Sequence, residues 1–301
     1  MHSHAHGTGA SVGGRAFAFG IALNLAFVGV EVVFGLHAKS LALLSDAGHN
    51  LSDVLGLALA WAAVVLGRRL PTPRRTYGMR RSTILAALLN ALVLLVAMGG
   101  LAWESVRRLA NPEPVVGGIV IVVALIGVGI NTTSAMLFLR GQRGDLNVRA
   151  AFAHLMADAA VSLGVALAGV AMLRTGWQWL DPVVSLVVGA IITYGTWGIL
   201  KESVNLALDA VPEGIDAAEV ERYLRGLPGV AAVHDLHVWA MSTSEAALTV
   251  HLVAPQRVIG DDAIAQISSE LHSRFGIEHT TIQIERGDGS AACDQAPVDV
   301  V

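Results

Sequence analysis

Leu41 to Leu66 reads LALLSDAGHNLSDVLGLALAWAAVVL, a run long enough to cross a bilayer that nevertheless holds Asp46, His49 and Asp53. About 20 apolar residues span the hydrocarbon core as a helix. An ionisable group near its centre costs at least ~2.5–3.5 kcal/mol on insertion scales, so it needs a partner, a proton or a metal. A second apolar run, 150–173, carries the same pattern as His154-Leu-Met-Ala-Asp158. Both contain H-x-x-x-D. A spacing of four puts each imidazole and its carboxylate on one helical face, about 6 Å apart along the axis.

Working outward, apolar stretches at about 16–36, 83–105, 114–139 and 178–200 join these two, giving six expected transmembrane helices. Composition agrees: 54% of the 301 residues are hydrophobic and 15% charged, against roughly 25% charged in soluble domains. Aromatics are only 5%, so the apolar excess is aliphatic. Residues 1–15 lack an apolar core followed by a small-residue cleavage site, so they read as a mobile tail and not a cleavable signal. Positive flanks stay cytoplasmic. An inside N-terminus puts eleven basic flanking residues, from Arg15 to Lys201, in the cytoplasm and only Lys39, Arg107, Arg108 and Arg174 outside. Both termini are therefore expected to be cytoplasmic. The net charge of −4 gives no basic surplus for nucleic acid. The single cysteine, Cys293, excludes a disulfide framework or a multi-cysteine zinc module, so any metal is expected on His and carboxylate.

The six helices define a transmembrane domain over 16–208, and composition changes after Lys201. Asp216 followed by Glu219 suits a capping box opening a helix to about Leu227, ended by Pro228-Gly229. Val233–Met241 and Ala246–Ala254 read as strands joined by Ser242–Glu245, 261–275 as an amphipathic helix, and Ile277–Glu285 as a last strand. The expected αββαβ order makes 209–286 a small two-layer α+β domain. The tail 287–301 shows no pattern and is expected to be disordered.

Under this orientation the two H-x-x-x-D helices run in opposite directions. His49 then lies outward of Asp53 and His154 inward of Asp158, so each His can face the other helix's Asp. Two imidazoles and two carboxylates suit tetrahedral Zn²⁺, with Co²⁺ or Cd²⁺ as tolerated relatives, whereas Mn²⁺ and Mg²⁺ prefer more oxygen. Structural hydrogen bonding between helices is the alternative reading, disfavoured because ionisable residues within membrane spans default to functional sites and two pairs match. Asp46 reads equally as a lining of the outer pathway or as a helix-end polar group, and Glu31 as a residue near an outer vestibule. Asn24, Asn90 and Asn131 are read as interhelical hydrogen-bonding amides. Asp181-Pro182 is expected to cap the sixth span.

These residues carry a resemblance. Ser-Leu-Ala-Leu-Leu-Ser-Asp-Ala-Gly-His-Asn-Leu-Ser-Asp from Ser40 and Asp-Leu-Asn-Val-Arg-Ala-Ala-Phe-Ala-His from Asp145, with six spans, resemble the cation diffusion facilitator family in its bacterial zinc, cadmium and cobalt efflux branch. The resemblance runs from about 16 to 286. It implies a homodimeric metal/proton antiporter in the cytoplasmic membrane, with His49, Asp53, His154 and Asp158 as transport site and a metallochaperone-like cytoplasmic domain. It further implies a cytoplasmic zinc site at His234, His251 and Glu285, with His237 and His279 as further candidates from strand parity. Arg81 resembles a basic residue that the family pairs with an aspartate, here Asp209. The loop Gly67–Tyr77 lacks the Asp and His of a third site found in some members, so its arginines are expected to meet lipid phosphates or anchor the loop. His2, His4 and His6 either capture zinc weakly or are idle.

Zinc needs deprotonated ligands, so binding from the cytosol expels protons and protonation from outside favours release. The expected function is Zn²⁺ export in exchange for protons by alternating access. A zinc enzyme would keep a water position and a base, for example H-E-x-x-H, which is absent, so no enzymatic activity is expected. A membrane-embedded zinc sensor signalling through its soluble domain is the remaining alternative.

Overall fold

The computed structural model describes residues 10–67, 70–138, 146–255, 259–287 and 293. Six long helices come first: α1 (Ala10–Ala38), α2 (Leu41–Gly67), α3 (Ser82–Ala110), α4 (Gly117–Phe138), α5 (Leu146–Thr175) and α6 (Leu180–Ala207). Then follow α7 (Ala217–Arg225), β1 (Ala232–Ala240), β2 (Ala246–Val253), α8 (Asp261–Phe275) and β3 (Ile277–Glu285). Several helices overrun their apolar stretches, because propagation gains a backbone hydrogen bond per residue whether or not the side chain is apolar. Among the described residues, Ser82–Ala110, Gly117–Met136, Phe152–Thr175 and Leu180–Ala207 are long and apolar enough to cross a membrane. The tail histidines His2, His4 and His6 lie outside the described residues, as do Arg68 and Arg69 and all of 288–301 except Cys293.

The described residues fall into two units. The first takes in the described parts of 1–58 and 90–197. Its core joins Phe27 on α1 and Leu43 on α2 to Val120 and Val123 on α4 and Val165 and Met172 on α5. α4 and α5 come together at glycines: a Cβ on Gly169 would lie 2.8 Å from Ile121 Cγ1 and 3.3 Å from the Gly117 carbonyl oxygen. Small residues permit such close backbone approach where no hydrophobic force draws helices together in lipid. Leu94 and Met98 on α3 pack with Val188 and Ile192 on α6.

The second unit takes in the described parts of 59–89 and 198–301. Asp216 caps α7 by accepting from the Ala218 and Glu219 amides at 2.9 and 3.2 Å. The sheet order is β1-β2-β3, with β1 antiparallel and β3 parallel to β2. The parallel pair needs a crossover, supplied by α8. α8 ends at Gly276 in the left-handed conformation, φ 67°, that glycine adopts without a Cβ penalty. Val220 and Leu224 of α7 and Ile267 and Leu271 of α8 bury Leu248, Val250 and Leu252 of β2. Strand alternation then turns Thr249 and His251 to the other face. The β1–β2 turn meets the start of α3: Arg80 pairs with Glu245 at 2.8 Å and the Thr243 amide donates to Thr83 Oγ1. Arg81 pairs with Asp209.

Candidate metal centres

In α2 and α5 the four-residue spacing does what helical geometry requires, presenting one imidazole and one carboxylate from each. His49 Nε2 lies 3.0 Å from Asp158 Oδ1 and 3.8 Å from Asp53 Oδ2. His154 Nε2 lies 3.2 Å from Asp53 Oδ2 and 3.6 Å from Asp158 Oδ2. Each histidine is thus nearer the other helix's carboxylate than its own. A tetrahedron with ~2.0 Å bonds to N and O has edges of roughly 3.3 Å, and these four distances bracket that value. Exposure is graded across the cluster: the Asp158 side chain is 6% exposed, those of His49 and Asp53 are intermediate, and that of His154 is 50% exposed.

A second cluster lies on the sheet face away from the helices. His234 stands opposite His251 in the β1–β2 register, their rings 5.0 Å apart. Glu285 bridges them, Oε2 3.1 Å from His234 Nε2 and Oε1 2.9 Å from His251 Nδ1. Cys293 Sγ comes within 3.5 Å of His251 Nδ1. Burial would raise the Glu285 carboxyl, but hydrogen bonds with His234 and Cys293 and the two nearby imidazoles outweigh it and hold the group below the usual Glu range. The four donors lie within 4.8 Å of one another, so the set fits a single ion of tetrahedral preference.

Residues 18–206 match the family described as cation efflux transmembrane domain, and 212–287 that described as cation efflux protein, cytoplasmic domain. The chain belongs to the cation efflux family. The cation efflux system protein CzcD of Alcaligenes sp. (strain CT14) is 38% identical over 98% of this chain and 92% of that protein. The zinc transporter ZitB of Escherichia coli (strain K12) is 37% identical over 94% and 92%. The cadmium, cobalt and zinc/H(+)-K(+) antiporter of Bacillus subtilis (strain 168) is 32% identical over 85% and 84%. This cation efflux chain is a multi-pass membrane protein of the zinc, cadmium and cobalt branch.

Several residues of this cation efflux protein sit elsewhere than expected. Cys293 joins the sheet cluster, correcting the expectation of a site held by His and carboxylate alone; its tail position carries no periodic signal that could have announced it. His237 does not enter that cluster but meets Asp235, Nε2 to Oδ1 2.8 Å. Asp235 also stands 3.6 Å from His251 Nε2, on the opposite side of the ring from Glu285. His279 packs edge-on against Tyr77, with centroids 5.7 Å apart. Glu31 is wholly buried, not at a vestibule, and accepts from Asn50 at 2.9 Å. Asp46, also buried, accepts from Ser162 at 2.9 Å, so it is no helix-end group. Asp181 caps α2 instead of its own helix: it accepts from the Ser40 hydroxyl and the Leu41 amide at 2.5 and 2.7 Å. Asn90 donates to Ser52 at 3.3 Å, an interhelical bond of the expected kind.

Proposed function

We propose that the chain exports Zn²⁺, and its relatives Cd²⁺ and Co²⁺, from the cytosol in exchange for protons, using His49, Asp53, His154 and Asp158 as an intramembrane transport site. The reading takes α1–α6 as six spans with both termini cytoplasmic, and the functional unit as a homodimer in the cytoplasmic membrane. The observation that carries it is the crossed pairing of two His and two Asp from α2 and α5. Such a set binds a borderline cation and, once the cation leaves, accepts protons. The exposure gradient supports cytosolic access, because His154 and Asp53 form the inner edge of the site under this orientation. The names of the zinc-transporting and antiporting relatives point the same way.

The sheet cluster is read as a regulatory zinc site. His234, His251, Glu285 and Cys293 would hold the ion, and its charge would draw the β-sheet domains of the two protomers together. Asp235 beside His251 Nε2 turns Nδ1 toward the cluster, as outer partners of ligating histidines do. No step of the transport cycle passes through this ion.

Equilibrium dialysis of the purified full-length protein tests the assignment. His49→Ala and Asp158→Ala are expected to lose the transport-site zinc while eluting as the wild-type dimer, and the affinity loss should exceed the 10–100-fold typical of outer-sphere changes. His251→Ala should lose only the sheet-site zinc. Undiminished binding in His49→Ala would overturn the reading.

A further inference from the structure

Glu31 on α1 and Asp46 on α2 are both 0% exposed, in helices read as crossing the membrane. Asn50, which donates to Glu31 at 2.9 Å, follows Asp46 by four residues on the same face of α2, so the two carboxyl groups share one buried corner between α1 and α2. Each accepts from one donor only: Asn50 Nδ2 reaches Glu31 Oε2 and Ser162 Oγ reaches Asp46 Oδ2. The other two oxygens, Glu31 Oε1 and Asp46 Oδ1, are buried without any hydrogen-bond partner. Two fully charged carboxylates facing each other with two oxygens undonated would combine like-charge repulsion with unpaid desolvation. One proton held between them removes both penalties, because the protonated carboxyl donates to the other's oxygen.

We propose that Glu31 and Asp46 form a carboxyl pair that holds one exchangeable proton, a counter-ion site separate from the metal ligands. The proposal rests on the transport-site reading above. Asp46 lies one helical turn from His49, and Ser162 one turn from Asp158, so the pair senses the charge at the transport site. Among the described residues, neither carboxyl makes a hydrogen bond or ion pair with His49, Asp53, His154 or Asp158, so metal and proton do not compete for the same oxygens. The charged neighbours are those of α2 and α5: His49 and Asp158 act on Asp46 through space, with Asp53 and His154 beyond them. α4 carries no ionisable residue from Gly117 to Phe138, and α1 contributes Glu31 alone within its buried part.

The step balances. With the transport site empty, the pair carries one proton and a single negative charge. Zn²⁺ arriving at the transport site raises the local positive potential and so weakens the pair's hold on its proton. The O–H bond of the pair then breaks, the proton passes to cytosolic water, and the pair keeps two negative charges beside the dication. Release of Zn²⁺ on the far side restores the repulsion, and a proton taken from that side re-forms the O–H bond.

The substitutions Glu31→Gln and Asp46→Asn are suited to the test, since the new amide N–H donates to the remaining carboxylate where the proton would have been. Proton release is measured with a pH dye in weakly buffered detergent as Zn²⁺ is added to the full-length protein. Each variant should still bind transport-site zinc but release about one proton fewer than wild type. In liposomes with a one-unit pH gradient, one fewer coupled proton lowers steady-state zinc accumulation about tenfold. Unchanged proton release in both variants would overturn the proposal, as would loss of transport-site zinc in both, which would make the pair part of the metal site. Wild-type flux that requires K⁺ or Na⁺, with that requirement lost in the variants, would overturn it in favour of a bound monovalent cation. Should the variants fail to fold, infrared difference spectroscopy of wild type decides: zinc should bleach a protonated-carboxyl carbonyl band, and its persistence counts against the pair. An Asp53→Ala protein that binds zinc normally would instead refute the transport-site reading.

Discussion

Asp181 occupies the first turn of α6, yet its carboxylate serves α2, accepting from the Ser40 hydroxyl and from the amides of Leu41 and Ala42. The first amides of a helix have no partner within it, and in a membrane water is a poor substitute. Asp181→Ala should therefore destabilise the protein by about 1–3 kcal/mol, the penalty for stranding buried donors, with Asp181→Asn recovering part of the loss. Thermal unfolding in detergent measures it, and an unchanged midpoint would refute the cap. Nothing in Asp181-Pro182 names the helix it caps, because local sequence reports a tendency to cap and not a tertiary partner. The His and Asp of the α2–α5 cluster were legible for the opposite reason. Their spacing of four fixes a shared face, and charge within an apolar run admits few explanations. Glu31 was visible as a charge within an apolar run, but its partner Asn50 lies on another helix and could only be found in three dimensions.

Among the elements, β1 departs most from what its sequence suggests. Strict alternation would send His234 and His237 to opposite faces, but the register slips between them: His234 faces His251 and His237 faces Thr249. The extra residue is accommodated at Asp235, φ 50°, a conformation aspartate tolerates better than most residues. Both histidines thereby reach the face that carries His251, and Asp235 is set between His237 and His251. Hydropathy located the long helices well, since a sustained apolar run is a property of composition, but it missed their polar extensions. It also said nothing of the α4–α5 contact at Gly117 and Gly169. Gly169→Val would place branched carbons against the Gly117 carbonyl and Ile121. Overpacking of this kind costs about 1–3 kcal/mol and should shift α5, which carries His154 and Asp158. A lower unfolding temperature together with weaker zinc binding is the expected result, and wild-type values for both would show that the contact is slack.

For the whole molecule, the two units divide the chemistry. The first holds crossed His–Asp pairs and two buried carboxyls, Asp46 one turn from His49 and Glu31 on α1; the second holds a sheet with its own His, Glu and Cys cluster. A helical membrane domain followed by a small sheet domain was legible in the sequence at this scale because apolar runs that give way to charged, period-two patterning leave few alternatives, while Cys293 escaped because a tail without periodicity says nothing about where it returns. Exchange of metal for protons is the claim that joins these parts. It is tested most directly by zinc uptake into proteoliposomes holding a fluorescent zinc indicator, with a pH gradient imposed and then collapsed, for wild type and Asp53→Ala. Uptake that follows the gradient in wild type and is absent in Asp53→Ala is the expected result. Uptake indifferent to the gradient, or undiminished in Asp53→Ala, would contradict it.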